Sequence, residues 1–256
     1  MSSKPSKDDR RARSEQMKAE REAAARASER RTRLLVAVAV LAAIALIAVA
    51  VVGSQSGTGD AAAVPAGVEP PDGGAPYGDD SAPVVMDEWV DFSCPACATF
   101  TAALGDTISE QVAAGELKVL YHPVSFINAG SARAANALGC AVDQGQTNEF
   151  YDAVFAVQGS ESGDGVTNDE LIDIGASIGI ESPEFAQCVN DGTYDGWAEN
   201  LNGAQLEAGV TGTPTIFLNG ELTDLPTFEP QALLDAIAAA QSAEPTESAE
   251  PTEPAE

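Results

Sequence analysis

The stretch Ala82–Phe100, "APVVMDEWVDFSCPACATF", decides the fold. Its first half reads as a strand, with Val84, Val85, Trp89, Val90 and Phe92 apolar. Its second half turns into a helix. Pro95 suits the first helical turn, where a missing N–H costs nothing. "ACATFTAALGDTISEQVAAG" continues that helix up to Gly115. Two of the four cysteines, Cys94 and Cys97, therefore fall on the first turn of a helix that follows directly on a strand.

"LKVLYHPVSF", Leu117–Phe126, is a second strand of alternating character. A block of about 85 residues with helical spacing follows, punctuated by Gly and by Asn, Asp and Ser clusters. "TPTIFLNG", Thr213–Gly220, is then a strand ending in the Asn219-Gly220 hairpin signal. "ELTDL" reads as its return strand and "PQALLDAIAAAQ" as the closing helix. The order β-α-β, helical block, β-β-α is the layout of a thioredoxin fold with a helical insertion, an α/β class.

Two residues between the cysteines bring both sulfurs within bonding distance on one helical turn. Unpaired N–H groups and the helix dipole at that terminus favour a thiolate at Cys94. Such thiols have pKa values of ~3.5–7.5 against ~8.5 for a free thiol. A thiolate there exchanges with a substrate disulfide or thiol, and Cys97 resolves the mixed disulfide. Zinc also uses this spacing but needs further ligands. The remaining candidates, Cys140, Cys188 and His122, stand far apart in sequence. A purely structural Cys94–Cys97 bridge would close a very small loop and remove little chain entropy. His122 reads as a surface or strand-end residue.

"DEWVDFSCPAC" together with the distant "GVTGTPTIFLNG" resembles the DsbA-type branch of the thioredoxin superfamily. The closer likeness is to the membrane-anchored thiol–disulfide oxidoreductases of Gram-positive bacteria, actinobacteria especially. It covers roughly Pro76–Gln241. The resemblance implies an enzyme with Cys94 as nucleophile and Cys97 as resolving thiol. It implies that Pro214 is a cis-proline facing them and that Thr213 tunes the redox behaviour. It also implies that Glu88 is a buried acid moving protons for the resolving thiol. A second, structural disulfide between Cys140 and Cys188 is implied too, in the inserted helical block. One departure stands out: strongly oxidising members often carry a histidine between the cysteines, where this chain has Pro95-Ala96. No cofactor and no metal are expected, since the two sulfurs carry the electrons themselves.

Leu34–Val52 is an unbroken run of Ala, Val, Leu and Ile. As a helix it spans ~28 Å, near the ~30 Å core of a bilayer. Residues 1–33 hold 11 of the 13 Lys and Arg, which keeps that end in the cytoplasm and places the rest outside. "AVA" at Ala48–Ala50 has the shape of a signal-peptide cleavage site, but the basic and apolar runs are long for one, which favours an uncleaved anchor. Beyond residue 33 only Lys118 and Arg133 are positive, against 34 acids. Such a surface repels nucleic acid.

The expected organisation is thus a basic cytoplasmic segment (1–33), a transmembrane helix (34–53), a flexible linker (54–79), a thioredoxin-fold domain (80–241) and a disordered acidic tail (242–256). The resemblance implies unfolded exported proteins as substrates and a quinone-linked membrane reoxidase as redox partner. A reductase or isomerase fed electrons across the membrane is the alternative of reversed direction. A non-catalytic peptide-binding module is the alternative from another class, and the presence of both Cys94 and Cys97 argues against it.

Overall fold

The computed structural model describes residues 62–158 and 164–243. The Leu34–Val52 run, the basic segment before it and the acidic tail from residue 244 lie outside these residues. No helix among the described residues is long and apolar enough to cross a membrane.

In chain order the elements are β1 (Ala75–Tyr77), β2 (Val84–Val90), α1 (Pro95–Ala113), β3 (Leu117–Pro123), α2 (Ala129–Val142), α3 (Thr147–Val157), α4 (Asn168–Ser177), α5 (Pro183–Asp191), α6 (Asp195–Ala204), β4 (Thr215–Leu218), β5 (Glu221–Thr223) and α7 (Pro230–Ser242). The sheet runs β1-β3-β2-β4-β5. β2 and β3 are parallel, joined by the α1 crossover, and the other pairs are antiparallel. This is the α/β layout expected, with helices α2 to α6 inserted between β3 and β4.

The register sorts the side chains of β2 and β3 onto two faces, because partners in a parallel pair share a face. Met86 pairs with Val119 and Glu88 with Tyr121 on one; Asp87 pairs with Leu120 and Trp89 with His122 on the other. α1 buries Cys97, Phe100, Leu104 and Ile108, a three-and-four spacing that forms one helical stripe. The β4–β5 turn has positive φ at both Asn219 (49°) and Gly220 (79°), the backbone that a two-residue hairpin of this twist requires. Asn219 also clamps β2, accepting from Val85 N at 2.8 Å and donating its own N–H to Val85 O at 2.8 Å.

The linker expectation needs correction, because its second half is folded. Residues 75–77 form β1 on the outer edge of β3. Val68 is buried, Trp197 Nε1 donates to Gly73 O at 2.8 Å, and Ala66 N donates to Asp143 Oδ1 at 3.0 Å. A Cβ on Gly74 would meet His122 Nε2 at 2.7 Å, so only glycine allows this close approach. The physical reason is that β3 would otherwise expose a row of unpaired backbone groups.

In the helical block, Cys140 on α2 and Cys188 on α5 are joined by a disulfide with S–S 2.02 Å and Cα–Cα 5.9 Å. α4 opens on a capping box, Thr167 with Glu170, and α5 on the N-cap Ser182.

Candidate active site

The parallel strands β2 and β3 both end at the same side of the sheet, and the chain turns there from Val90 into α1. Asp91 holds that turn. It is fully buried, and its carboxylate accepts from Ser93 N (2.8 Å), Ser131 Oγ (2.6 Å), Phe126 N (3.1 Å) and Ile127 N (3.2 Å). Its carbonyl accepts from Cys94 N at 2.9 Å. At the C-cap of α3, Gln158 Nε2 donates to Phe92 O (2.7 Å) and Cys94 O (3.1 Å). One carboxylate and one amide thus fix the approach to the helix from two sides.

Cys94 is the N-cap of α1, in extended backbone, with Pro95 in the first turn. Both cysteines are free thiols. Cys97 is fully buried, while the neighbouring Pro95 and Ala96 are exposed. Cys94 Sγ donates to Thr213 O at 3.3 Å, across 119 residues of sequence. The Thr213–Pro214 peptide bond is cis. The Thr213 hydroxyl oxygen is buried and has no hydrogen-bond partner.

The two thiols are electrically unequal. Burial raises the Cys94 thiol, but the Thr213 side-chain dipole and hydrogen bonds from the Cys97 backbone and thiol and from the Ala96 backbone outweigh it, and it lies below its ordinary value. Burial pushes the Cys97 thiol far up, against weaker opposing bonds from the Asp91 backbone and Thr213. Cys94 is the group that ionises, and Cys97 is the one that keeps its proton.

Glu88 is fully buried on β2. Tyr151 on α3 donates its hydroxyl to Glu88 Oε1 at 2.5 Å, and Glu88 Oε2 has no partner. Burial pushes the carboxyl up to about 8, and the Tyr151 bond opposes this only in part. Tyr151 stacks on Tyr121, with ring centroids 4.0 Å apart.

A family model described as Thioredoxin matches residues 72–237. This chain belongs to the thioredoxin family. The match begins inside the segment read as linker, in keeping with β1 being part of the domain. A probable disulfide bond formation protein D from Bacillus anthracis is 26% identical over 158 residues, covering 59% of this chain and 72% of that protein. The solved structure of MdbA, a thiol–disulfide oxidoreductase from Actinomyces oris, is 25% identical with a TM-score of 0.57, covering 64% of this chain and 84% of that one. A Na(+)/H(+) antiporter, NhaA 1 of Salinispora arenicola, is 28% identical over 143 residues, covering 54% of this chain. This chain spans only 20% of the antiporter's length. The family shown is thus thioredoxin, and the Bacillus anthracis protein and MdbA are relatives of this chain that carry thiol–disulfide names.

The thioredoxin-family frame brings together Cys94, Cys97, Thr213 and Pro214. Beside Pro214 runs a groove of about 450 Å³, lined by Phe100, Ile216, Leu222, Leu225 and Phe228 among others. The zinc alternative lacks its further ligands, because Cys140 and Cys188 are bonded to each other. No group of three or more His, Cys, Asp or Glu suited to a metal exists among the described residues. His122 stands at a strand end as expected, but it is buried rather than on the surface. It stacks on Trp89 with ring centroids 4.5 Å apart, and its Nε2 lies 2.9 Å from Asp87 Oδ1.

Sequence reading missed Asp91, Gln158 and Tyr151. Only Asp91 left a signal, an acid set between the apolar Val90 and Phe92. The other two act through contacts 63 to 66 residues distant in sequence.

Proposed function

We propose that this chain is a membrane-anchored, extracytoplasmic thiol–disulfide oxidoreductase that introduces disulfides into exported proteins through Cys94 and Cys97. The observation that carries the reading is the inequality of the two thiols: Cys94 is eased toward its thiolate and Cys97 is held protonated. A stabilised Cys94 thiolate favours the reduced pair and makes the disulfide form an oxidant.

In the oxidising turn, a substrate thiolate attacks Cys94 Sγ of the Cys94–Cys97 disulfide. A substrate–Cys94 bond forms, the intramolecular S–S bond breaks, and Cys97 leaves as a thiolate. Cys97 then takes a proton, for which the neutral, buried Glu88 is the donor. A second substrate thiolate attacks the substrate sulfur and releases Cys94. Two electrons have passed to the cysteine pair, and a quinone-linked membrane reoxidase removes them. The groove beside Pro214, whose apolar side chains alternate with Thr215, Thr223 and Asp224, suits an extended, unfolded segment of substrate. The apolar run Leu34–Val52 supports the anchor, and the excess of Lys and Arg before it supports the outward orientation.

The reversed direction, a reductase or isomerase, draws on one observation. Every group that lowers Cys94 is a neutral dipole, and Pro95-Ala96 supplies no cation. The reduction potential decides between them. In glutathione buffers, the full-length chain is expected to equilibrate near the ~−120 mV of a strong oxidant. A value near the ~−270 mV of thioredoxin would replace the oxidase reading with the reductase one.

A further inference from the structure

We propose that Tyr151 and Thr101 form a hydroxyl relay that returns protons from solvent to the buried Glu88. The proposal rests on the reading above, in which Glu88 gives its proton to Cys97.

Glu88 is fully buried, and one of its oxygens is occupied by the Tyr151 hydroxyl at 2.5 Å. A neutral Glu88 therefore carries its proton on Oε2, the oxygen without a partner. Once that proton is spent, a carboxylate is left sealed in an apolar site, and such a charge is costly until it is neutralised. It needs a route to water before the next turnover.

Tyr151 is itself only 2% exposed, and its hydroxyl touches a second group. Thr101 Oγ1 on α1 donates to it at 3.4 Å. Thr101 is half-buried where Tyr151 and Glu88 are sealed, so it is the member of the chain nearest to solvent. The donors run in one sense, Thr101 to Tyr151 to Glu88, which is the sense needed to carry a proton inward. Glu88 takes the Tyr151 proton, Tyr151 takes that of Thr101, and Thr101 takes one from water. Each hydroxyl regains a proton but is left donating outward, so each O–H rotates back, and the Glu88 carboxyl turns to return its proton to the side of Oε2, before the next turnover; no electron moves. The transfer is concerted, because burial and the neighbouring Glu88 hold the Tyr151 phenol strongly against ionisation.

The other hydroxyl nearby does not serve. Tyr121 stacks on Tyr151, but its own hydroxyl donates to Asn148 Oδ1 at 2.6 Å. That branch ends on an amide, which cannot pass a proton on as a hydroxyl does.

Proton exchange at Glu88 tests this directly. The infrared carbonyl band of the protonated carboxyl, assigned by its loss in Glu88→Gln, is followed after rapid transfer of the full-length chain into heavy water. Tyr151→Phe and Thr101→Val are expected to slow its shift by roughly tenfold or more, and Thr101→Ser to restore it. A fold loosened by substitution would speed the exchange, so slowing separates a relay from a structural role. Wild-type exchange rates in both Tyr151→Phe and Thr101→Val would overturn the relay. The role of Glu88 itself stands or falls separately. If Glu88→Gln oxidises a dithiol peptide at the wild-type rate, that reading fails whatever the infrared result.

Discussion

Thr213 meets Cys94 through its backbone carbonyl. Its carbonyl oxygen accepts from Cys94 Sγ at 3.3 Å, and its hydroxyl, buried and without a hydrogen-bond partner, is the strongest dipole lowering that thiol. The carbonyl suits the thiol form and the hydroxyl suits the thiolate. Thr213→Val keeps the shape and deletes the hydroxyl. Loss of that dipole leaves burial less opposed, so the Cys94 titration should rise. The potential should become more negative by about 30 mV for each ~1.4 kcal/mol lost. Alkylation rates of Cys94 across pH would check this, and an unmoved profile would remove Thr213 from the tuning of the site.

The raised carboxyl of Glu88 predicts how stability varies with pH. Glu88 ionises near its ordinary 4.5 in the unfolded chain but only near about 8 when folded. Between these values the folded chain holds the extra proton. Stability is then fully present below about 4.5 and falls as pH rises toward 8, by up to ~1.4 kcal/mol per pH unit. Asp152, raised from 3.8 to about 6 by burial, adds a decline of the same sign over the shorter window between those values. Glu88→Gln should flatten most of the decline. Urea midpoints at pH 5 and pH 8 measure it, and equal declines in both proteins would show that Glu88 is not held neutral.

The strand-to-helix turn was legible because it depends on neighbours in sequence: an apolar strand, two cysteines and Pro95. The Asn219-Gly220 hairpin was legible for the same reason. β1 was not, because three residues carry no alternation, and their strand character comes from the open edge of β3. The three acids of Asp87, Glu88 and Asp91 looked alike in sequence. Strand parity sends Glu88 inward beside Tyr121 and Asp87 to the face of His122, but Trp89 is buried on that second face as well. With both faces covered, alternation could not say which acid is sealed. Two of the four donors to the Asp91 carboxylate are backbone N–H groups on a distant loop, which no side-chain pattern announces.

Asp91 should matter more to stability than any exposed acid. Asp91→Ala strands the buried Ser131 hydroxyl and the half-buried Ser93 N–H, and releases the N–H groups of the exposed Phe126 and Ile127. Each unmet donor costs ~1–3 kcal/mol, so a loss of about 3 kcal/mol or more is expected. Denaturant unfolding reads it directly. A loss below about 1 kcal/mol would mean that the turn before Cys94 is held by other contacts, Gln158 first among them.

The Cys140–Cys188 bridge ties α2 to α5 across a sequence separation of 48. Closing a loop of that length is worth roughly 4 kcal/mol in the chain-entropy model. Cys140→Ala/Cys188→Ala should therefore lose stability of that order while keeping the Cys94 alkylation profile. A shifted profile would show that the helical block reaches the redox pair electrically rather than only bracing it.

Removal of residues 62–77 tests whether the segment before β2 is a tether or part of the domain. The deletion strips β1 from β3, unpairing the backbone beside Val119 and Tyr121. It also takes the acceptor from Trp197 Nε1 and uncovers His122, over which Gly74 closes. An exposed edge of this kind invites pairing with another chain. The truncated chain should melt earlier and associate, whereas Trp197→Phe, losing one hydrogen bond, should cost only about 1 kcal/mol. Light scattering during thermal unfolding separates the two effects. A truncated chain as stable and monodisperse as the parent would return residues 62–77 to the linker.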